Sequence, residues 1–234
     1  MSGRSEDKMI RVDMTRQSVL IEAFPEKWKF FGGRALSAKI LLEECDPGCD
    51  PLGADNFLVL APGLLAGSSA PTSGRLSVGG KSPLTGGIKE ANVGGDPGQD
   101  LMKLGYRVVI VTGKPEDPEL RYALEVDGDS ARVIPADAHK GKWNYALIED
   151  LTQTYSKKAS FISIGPAGEM QLSGASVACT DHSQERHPAR HAGRGGLGAV
   201  MGSKGLKFVA IEAGRAASRK PADRGEHDIL YHRR

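Results

Sequence analysis

Two arginines, Arg190 and Arg194, stand at the head of a segment that carries six glycines between Gly193 and Gly205. Arginine presents a planar fork of N–H donors that suits phosphate oxygens, and glycine lets backbone N–H groups approach the same oxygens closely. Two other glycine-rich turns present polar groups in the same manner. Arg75 follows the run Ala70-Pro71-Thr72-Ser73-Gly74, and Asn92 precedes Gly94 and Gly95. Together they describe a site for a large phosphorylated ligand. The same residue types also suit tight turns with solvated arginines, and residue type alone does not separate the two.

Nucleotide motifs fit poorly. Gly193, Gly195 and Gly198 satisfy G-x-G-x-x-G, but a dinucleotide fold needs a hydrophobic strand just before it, and the preceding DHSQERHPAR is charged. In GRLSVGGKS, Gly74 and Gly80 are separated by five residues, where a P-loop has four. His182, His187 and His191 share one polar segment, yet no cysteine or carboxylate completes a metal-ligand spacing, so they read as loop histidines. Cys179 ends an apolar run and reads as a small buried thiol. Asp46 and Asp50 around Cys49 read as turn chemistry.

Composition narrows the class. Thirty-one Lys and Arg against 29 Asp and Glu leave a net charge of +2, which gives no general case for nucleic acid or membrane binding. Any anion site is therefore local. Three cysteines are too few for a disulfide framework. No apolar run has the length of a membrane span, and the polar start lacks the apolar centre of a signal peptide. A soluble protein of the cytoplasm is expected.

The elements that must position these groups are short. MIRVDMTRQSVLIEAF reads as a hairpin and GGRALSAKILLEE as a helix with Leu36, Ile40 and Leu41 on one face. NFLVLAPG is a buried strand, and the eight glycines between Gly74 and Gly98 demand short strands with tight turns. GQDLMKLG is a short helix, YRVVIVT a strand, and the run from Leu120 to Ala136 a hairpin joined at Asp127-Gly128-Asp129. NYALIEDLTQTY has helical spacing; ASFISIGPAGE, SGASVACT and FVAIE read as strands. With three or four helices, no regular strand–helix alternation and no internal repeat in view, an α+β fold is expected.

The stretches GGRALSAKILLEE, APGLLAGSSAPTSGRLSVGGKSPLTGG, EANVGGDPGQDLMKLGY, SIGPAGE and AGRGGLGAVMGSKGLKFVAIE resemble, in order, the N-terminal domain of the aldehyde:ferredoxin oxidoreductase family, spanning about residues 5 to 212. These are tungsten enzymes with a bis-pyranopterin cofactor. The resemblance implies two β-sheets that enclose an angle and form a base for the pterin pair, with a domain over residues 1–212 and a polar tail, or the start of a further domain, over 213–234. It implies pterin and phosphate contacts from Arg75, Asn92, Gly94, Gly95, Arg190, His191, Gly193, Arg194 and Gly195. It also implies a Mg2+ ion bridging the two phosphates, held by the backbone carbonyls of Asn92 and His191; hard oxygen ligands suit that ion. His191 stands where the family often has a small residue.

The family's cluster-binding cysteines and substrate cavity lie in later domains. A 4Fe-4S cluster is thus expected on another polypeptide that completes the enzyme, with ferredoxin or another electron-transfer protein as acceptor and an aldehyde as substrate. The expected activity is oxidation of aldehydes to carboxylic acids at tungsten or molybdenum. A pterin carrier without catalysis and an inactive truncated product are the alternatives.

Overall fold

In the computed structural model, described for residues 7–214 and 216–219, the chain forms twelve strands and five α-helices. The hairpin β1 (Lys8–Asp13) and β2 (Ser18–Ala23) is followed by α1 (Gly33–Glu44), then β3 (Leu58–Pro62), β4 (Leu76–Lys81) and β5 (Ile88–Val93). Next come α2 (Pro97–Lys103) and β6 (Tyr106–Thr112). The hairpin β7 (Tyr122–Val126) and β8 (Ala131–Pro135) leads into α3 (Asn144–Thr154), β9 (Ser160–Ser163) and the single turn α4 (Pro166–Glu169). The chain continues with β10 (Val177–Asp181), β11 (His187–Ala192), α5 (Leu197–Ser203) and β12 (Leu206–Ile211).

The first sheet has the order β2-β1-β6-β3-β4-β5 and the second β11-β10-β9-β12-β7-β8. Read from the other edge, the second order is β8-β7-β12-β9-β10-β11, which is the first with each strand replaced by its counterpart in the later half. Every pairing direction also agrees: β1 with β6 and β7 with β12 are parallel, and the remaining pairs in both sheets are antiparallel. The fold is thus an internal repeat, with α4 the one helix of the second half that lacks a counterpart among the described helices. This corrects the expectation of no repeat. Glycines recur between the halves, as at Gly95 and Gly195, Gly98 and Gly198, and Gly105 and Gly205.

Layering explains which residues are apolar. The inner faces of both sheets share one core, with Ile10, Leu58, Leu60 and Val109 from the first sheet meeting Leu124, Ile162, Val209 and Ile211 from the second. The outer face of the first sheet packs Val59 and Ile110 against Leu36, Ile40 and Leu41 of α1 and the buried Trp28. The outer face of the second packs Phe161 and Phe208 against Leu147, Ile148 and Leu151 of α3. Strands β3, β9 and β12 are buried along their whole length, as expected of strands covered on both sides. The shorter helices α2 and α5 each touch strands of both sheets and bring Leu101, Leu197, Val200 and Met201 into the shared core.

Two expectations change here. The charged stretch before Gly193 contains a strand, β11, and the glycine run after it contains a helix, α5. Strand β11 is an edge strand with much of its surface exposed, so polar side chains are tolerated where a central strand would need apolar ones. The helix count is five rather than three or four. A strand does precede the G-x-G-x-x-G run, but β11 pairs antiparallel with β10, so the dinucleotide reading still fails on topology.

Candidate functional site

The two sheets meet along their edges β5 and β11, which lie against each other. Each edge strand ends in a glycine turn that feeds a helix: Gly94 and Gly95 lead to α2, and Gly193 to Gly196 lead to α5. Arg75 immediately precedes β4, the neighbour of β5. A Cβ placed on Gly94 would lie 3.9 Å from Arg190 Cδ and 4.0 Å from Arg75 Nη1, so residues far apart in sequence converge over this glycine.

Backbone packing sets that convergence. Gly95 has φ +94, and a Cβ there would stand 2.4 Å from Thr180 O; the Asp96 N–H donates to the same carbonyl at 3.0 Å. The β5–α2 turn is thereby held against β10. Gly98 packs its bare Cα face against Leu76 and the Arg75 backbone, where a Cβ would meet Leu76 Cβ at 3.2 Å. In the second half Gly198 does the same against the Ser176 carbonyl, at 2.5 Å. Arg75 and Ser176 are counterparts, one residue before β4 and one before β10.

Partners separate the polar groups. Arg190 Nε donates to Asp181 Oδ2 at 2.7 Å across the β10–β11 pair. Burial works to raise the Asp181 carboxyl, but hydrogen bonds from Ser183 and Arg190 outweigh it and hold the group below the usual carboxylate range. Arg75 and Arg194 are exposed, and among the described residues their guanidinium groups have no hydrogen bond or ion pair. Asn92 Nδ2 donates to Glu90 Oε2 at 2.8 Å, and Glu90 also pairs with Arg34 of α1 at 2.7 Å. The Asn92 side chain is thus engaged by the outer face of the first sheet. Its counterpart His191 shares a hydrogen bond between Nδ1 and Ser176 Oγ at 3.0 Å.

The glycine run divides by role. A Cβ on Gly193 would meet nothing within 4 Å, so this residue faces open space. Gly195 has φ +80 and sits under Lys89, whose Cγ would be 2.3 Å from a Cβ. Gly196, Gly198 and Gly202 approach the backbone of Ser173, Ser176 and Gly168. Much of the close approach that glycine signals here is therefore made to protein. Lys89, Asp181, Ser176 and Ser82, whose hydroxyl donates to Gly195 O at 2.7 Å, also shape the site. Their types carry no motif; only the strand register, unavailable from sequence, brings them in.

His187 faces Tyr145 of α3, and His182 lies in the turn after β10 with its N–H bonded to Asp96. Burial raises the Asp96 carboxyl above its ordinary value. No group of three or more His, Cys, Asp or Glu among the described residues forms a metal cluster. Cys179 is fully buried, as expected.

The sequence model of the aldehyde ferredoxin oxidoreductase N-terminal domain matches residues 9–213. The chain belongs to the aldehyde ferredoxin oxidoreductase family. The tungsten-containing aldehyde ferredoxin oxidoreductase of Pyrococcus furiosus is 38% identical over 220 residues, which covers 89% of this chain and 33% of that protein. The protein of the same name from Thermococcus kodakarensis is 38% identical over 214 residues, with the same shares covered. An aliphatic sulfonate oxidoreductase, WOR-like subunit, of Pyrococcus furiosus is 30% identical over 220 residues. Among solved structures, the active site complex BamBC of benzoyl coenzyme A reductase in complex with 1,5 dienoyl-CoA contains a chain with TM-score 0.83 and 29% identity, covering 95% of this chain and 32% of that one. The chain thus spans about a third of the length of these relatives. None of its described helices is long and apolar enough to cross a membrane.

Proposed function

We propose that this chain is the cofactor-bearing wall of a tungsten oxidoreductase, holding a bis-pyranopterin along the joined edges of its two sheets. The observation that carries the reading is the meeting of Arg75 and Arg190 over Gly94, with Arg75 and Arg194 left without partners among the described residues. The unpaired guanidinium groups of Arg75 and Arg194, with Arg190 held in place by Asp181, suit a ligand with phosphate groups. The internal repeat suits a ligand that itself comes in two like halves, one pterin to each glycine turn.

In this reading Arg75, Gly94 and Gly95 would hold one side and Arg190, Gly193, Arg194 and Gly195 the other. The side chain of Asn92 is occupied by Glu90, so a contribution to Mg2+ falls to its backbone carbonyl, matched by that of His191 on the facing edge. When bound, the metal of the cofactor supplies two-electron and oxygen-transfer chemistry; this chain's residues bind, orient and polarise the pterins.

The relatives named above are described as acting in aldehyde, aliphatic sulfonate and benzoyl-coenzyme A chemistry. One domain shared across such different substrates supports a role in holding the cofactor rather than choosing the substrate. Aldehyde oxidation, a 4Fe-4S cluster, a ferredoxin acceptor and a cytoplasmic setting belong to the same proposal, with the cluster on polypeptide beyond this chain.

The test is anaerobic purification from the host, without disrupting complexes, followed by elemental analysis for tungsten and molybdenum. Near-stoichiometric metal is expected. Arg75→Ala should then lower pterin retention about tenfold or more, the effect of losing one charge-assisted contact, while the circular dichroism spectrum stays unchanged. Full retention in Arg75→Ala would remove the site assignment.

A further inference from the structure

Cys45 caps the C-terminus of α1, and Cys49 follows one turn later. Their sulfurs lie 3.8 Å apart, at the far end of β4 from Arg75. Cys45 is partly exposed and Cys49 is buried. Both are free thiols.

The loop that carries them is fastened by two lysines. Lys81 Nζ donates to the carbonyls of Pro47 and Cys49, the latter at 2.6 Å. Lys204 Nζ, fully buried, donates to Gly53 O at 2.9 Å and Ala54 O at 3.0 Å. Its positive charge acts on both cysteines. Two thiols are thus held beside each other, one reachable from solvent, and the attraction of Lys204 for negative sulfur is outweighed at Cys45 by burial. Neither serves the proposed pterin site, and two thiols alone do not make a metal centre.

We propose that Cys45 and Cys49 form a reversible dithiol–disulfide pair, a redox modification site separate from the cofactor site. The oxidant is a low-molecular-weight disulfide. The Cys45 thiol loses its proton, and its sulfur attacks one sulfur of the oxidant, breaking that S–S bond and releasing the first small thiolate. The Cys49 thiol then loses its proton, and its sulfur attacks Cys45, forming the internal S–S bond and releasing the second small thiolate. Two electrons pass to the oxidant, and the two protons convert the released thiolates to thiols. Closing the bond needs the sulfurs to approach from 3.8 Å to about 2.05 Å, a movement that side-chain rotation in a loop can supply. Burial pushes the Cys45 thiol up to about 11, so oxidation accelerates as pH rises from 7 to 9. Cys179, fully buried at the site's inner face, is the inert internal control.

The reduced 234-residue chain is incubated with oxidised and reduced glutathione at set ratios, quenched with an alkylating reagent and examined by intact mass and peptide mapping. The expected result is loss of about 2 Da with Cys45 linked to Cys49, unchanged in Cys179→Ser. Cys49→Ser should instead accumulate a glutathione adduct on Cys45. Three free thiols in the wild-type chain at strongly oxidising ratios would overturn the proposal. Glutathione adducts without the internal link, or a link to Cys179, would overturn it equally.

Discussion

Lys204 shows how a residue's type and its place can disagree. A charged residue at a helix end usually lies in solvent, yet Lys204 is fully buried at the C-terminal end of α5. Burial lowers its ammonium from the ordinary 10.5 to about 8. A lysine whose folded value is depressed binds its proton less well in the fold than in the unfolded chain. Stability therefore rises with pH from about 8 toward 10.5, where the unfolded chain holds the extra proton. Above about 9 the raised Cys45 thiol works in the opposite direction, since the fold then retains a proton that the unfolded chain releases. Between pH 8 and 9 the Lys204 contribution amounts to about 1 kcal/mol, partly offset as the unfolded chain begins to release the protons that the fold retains on Cys45 and Cys179. Lys204→Met should flatten that rise in urea unfolding followed at half-unit steps; an unchanged slope would reject burial as its cause. Residue type made the arginines candidates for an anion, but guanidinium beside glycine equally suits a solvated turn, so type alone does not assign them. Asp181 and Ser176 were not candidates at all, because their parts depend on strand register.

Glycines carry the corresponding lesson for elements. The sequence run after Arg194 invites one explanation, ligand approach, but α5 itself lies in it. A Cβ on Gly202 would stand 1.8 Å from Gly168 O, backbone against backbone, with no flexible side chain to yield. Gly202→Ala should therefore cost about 3 kcal/mol in denaturant unfolding. Gly174→Ala, where a Cβ meets nothing within 4 Å, should stay within about 0.5 kcal/mol. Equal effects would deny α5 its close packing. Strand β11 was hidden for a different reason. Its residues His187, Ala189, Arg190 and His191 are exposed, so neither the alternation of a strand covered on one face nor the apolar run of one covered on both is present at this edge. The helices α1 and α3 could be read because their apolar spacing reflects a single covered face, and the buried strands because coverage on both sides leaves a continuous apolar run.

At the scale of the whole molecule, the repeat was faintly written in the glycines. Gly95, Gly98 and Gly105 recur as Gly195, Gly198 and Gly205, flanking α2 and α5 in the same positions. These are places where a positive φ or a bare Cα is required, so they resist change while the surrounding side chains diverge; Gly95, Gly105, Gly195 and Gly205 all have positive φ. Yet the two halves are not independent units. Both sheets bury their inner faces in one core, and α2 and α5 each reach across it. A single half would expose a whole apolar sheet face, including Leu58, Leu60, Val109 and Val111, to water. At about 25 cal/mol per Å2 of apolar surface, exposing such a face weighs heavily against a usual net stability of about 5–15 kcal/mol. The full chain should thus unfold in one cooperative transition, with near- and far-ultraviolet circular dichroism coincident in urea. Residues 1–115 expressed alone should lack such a transition. A cooperative melt of that half would mean that the shared core is a contact between finished domains, and the proposed cofactor site between β5 and β11 would then sit on an interface able to open.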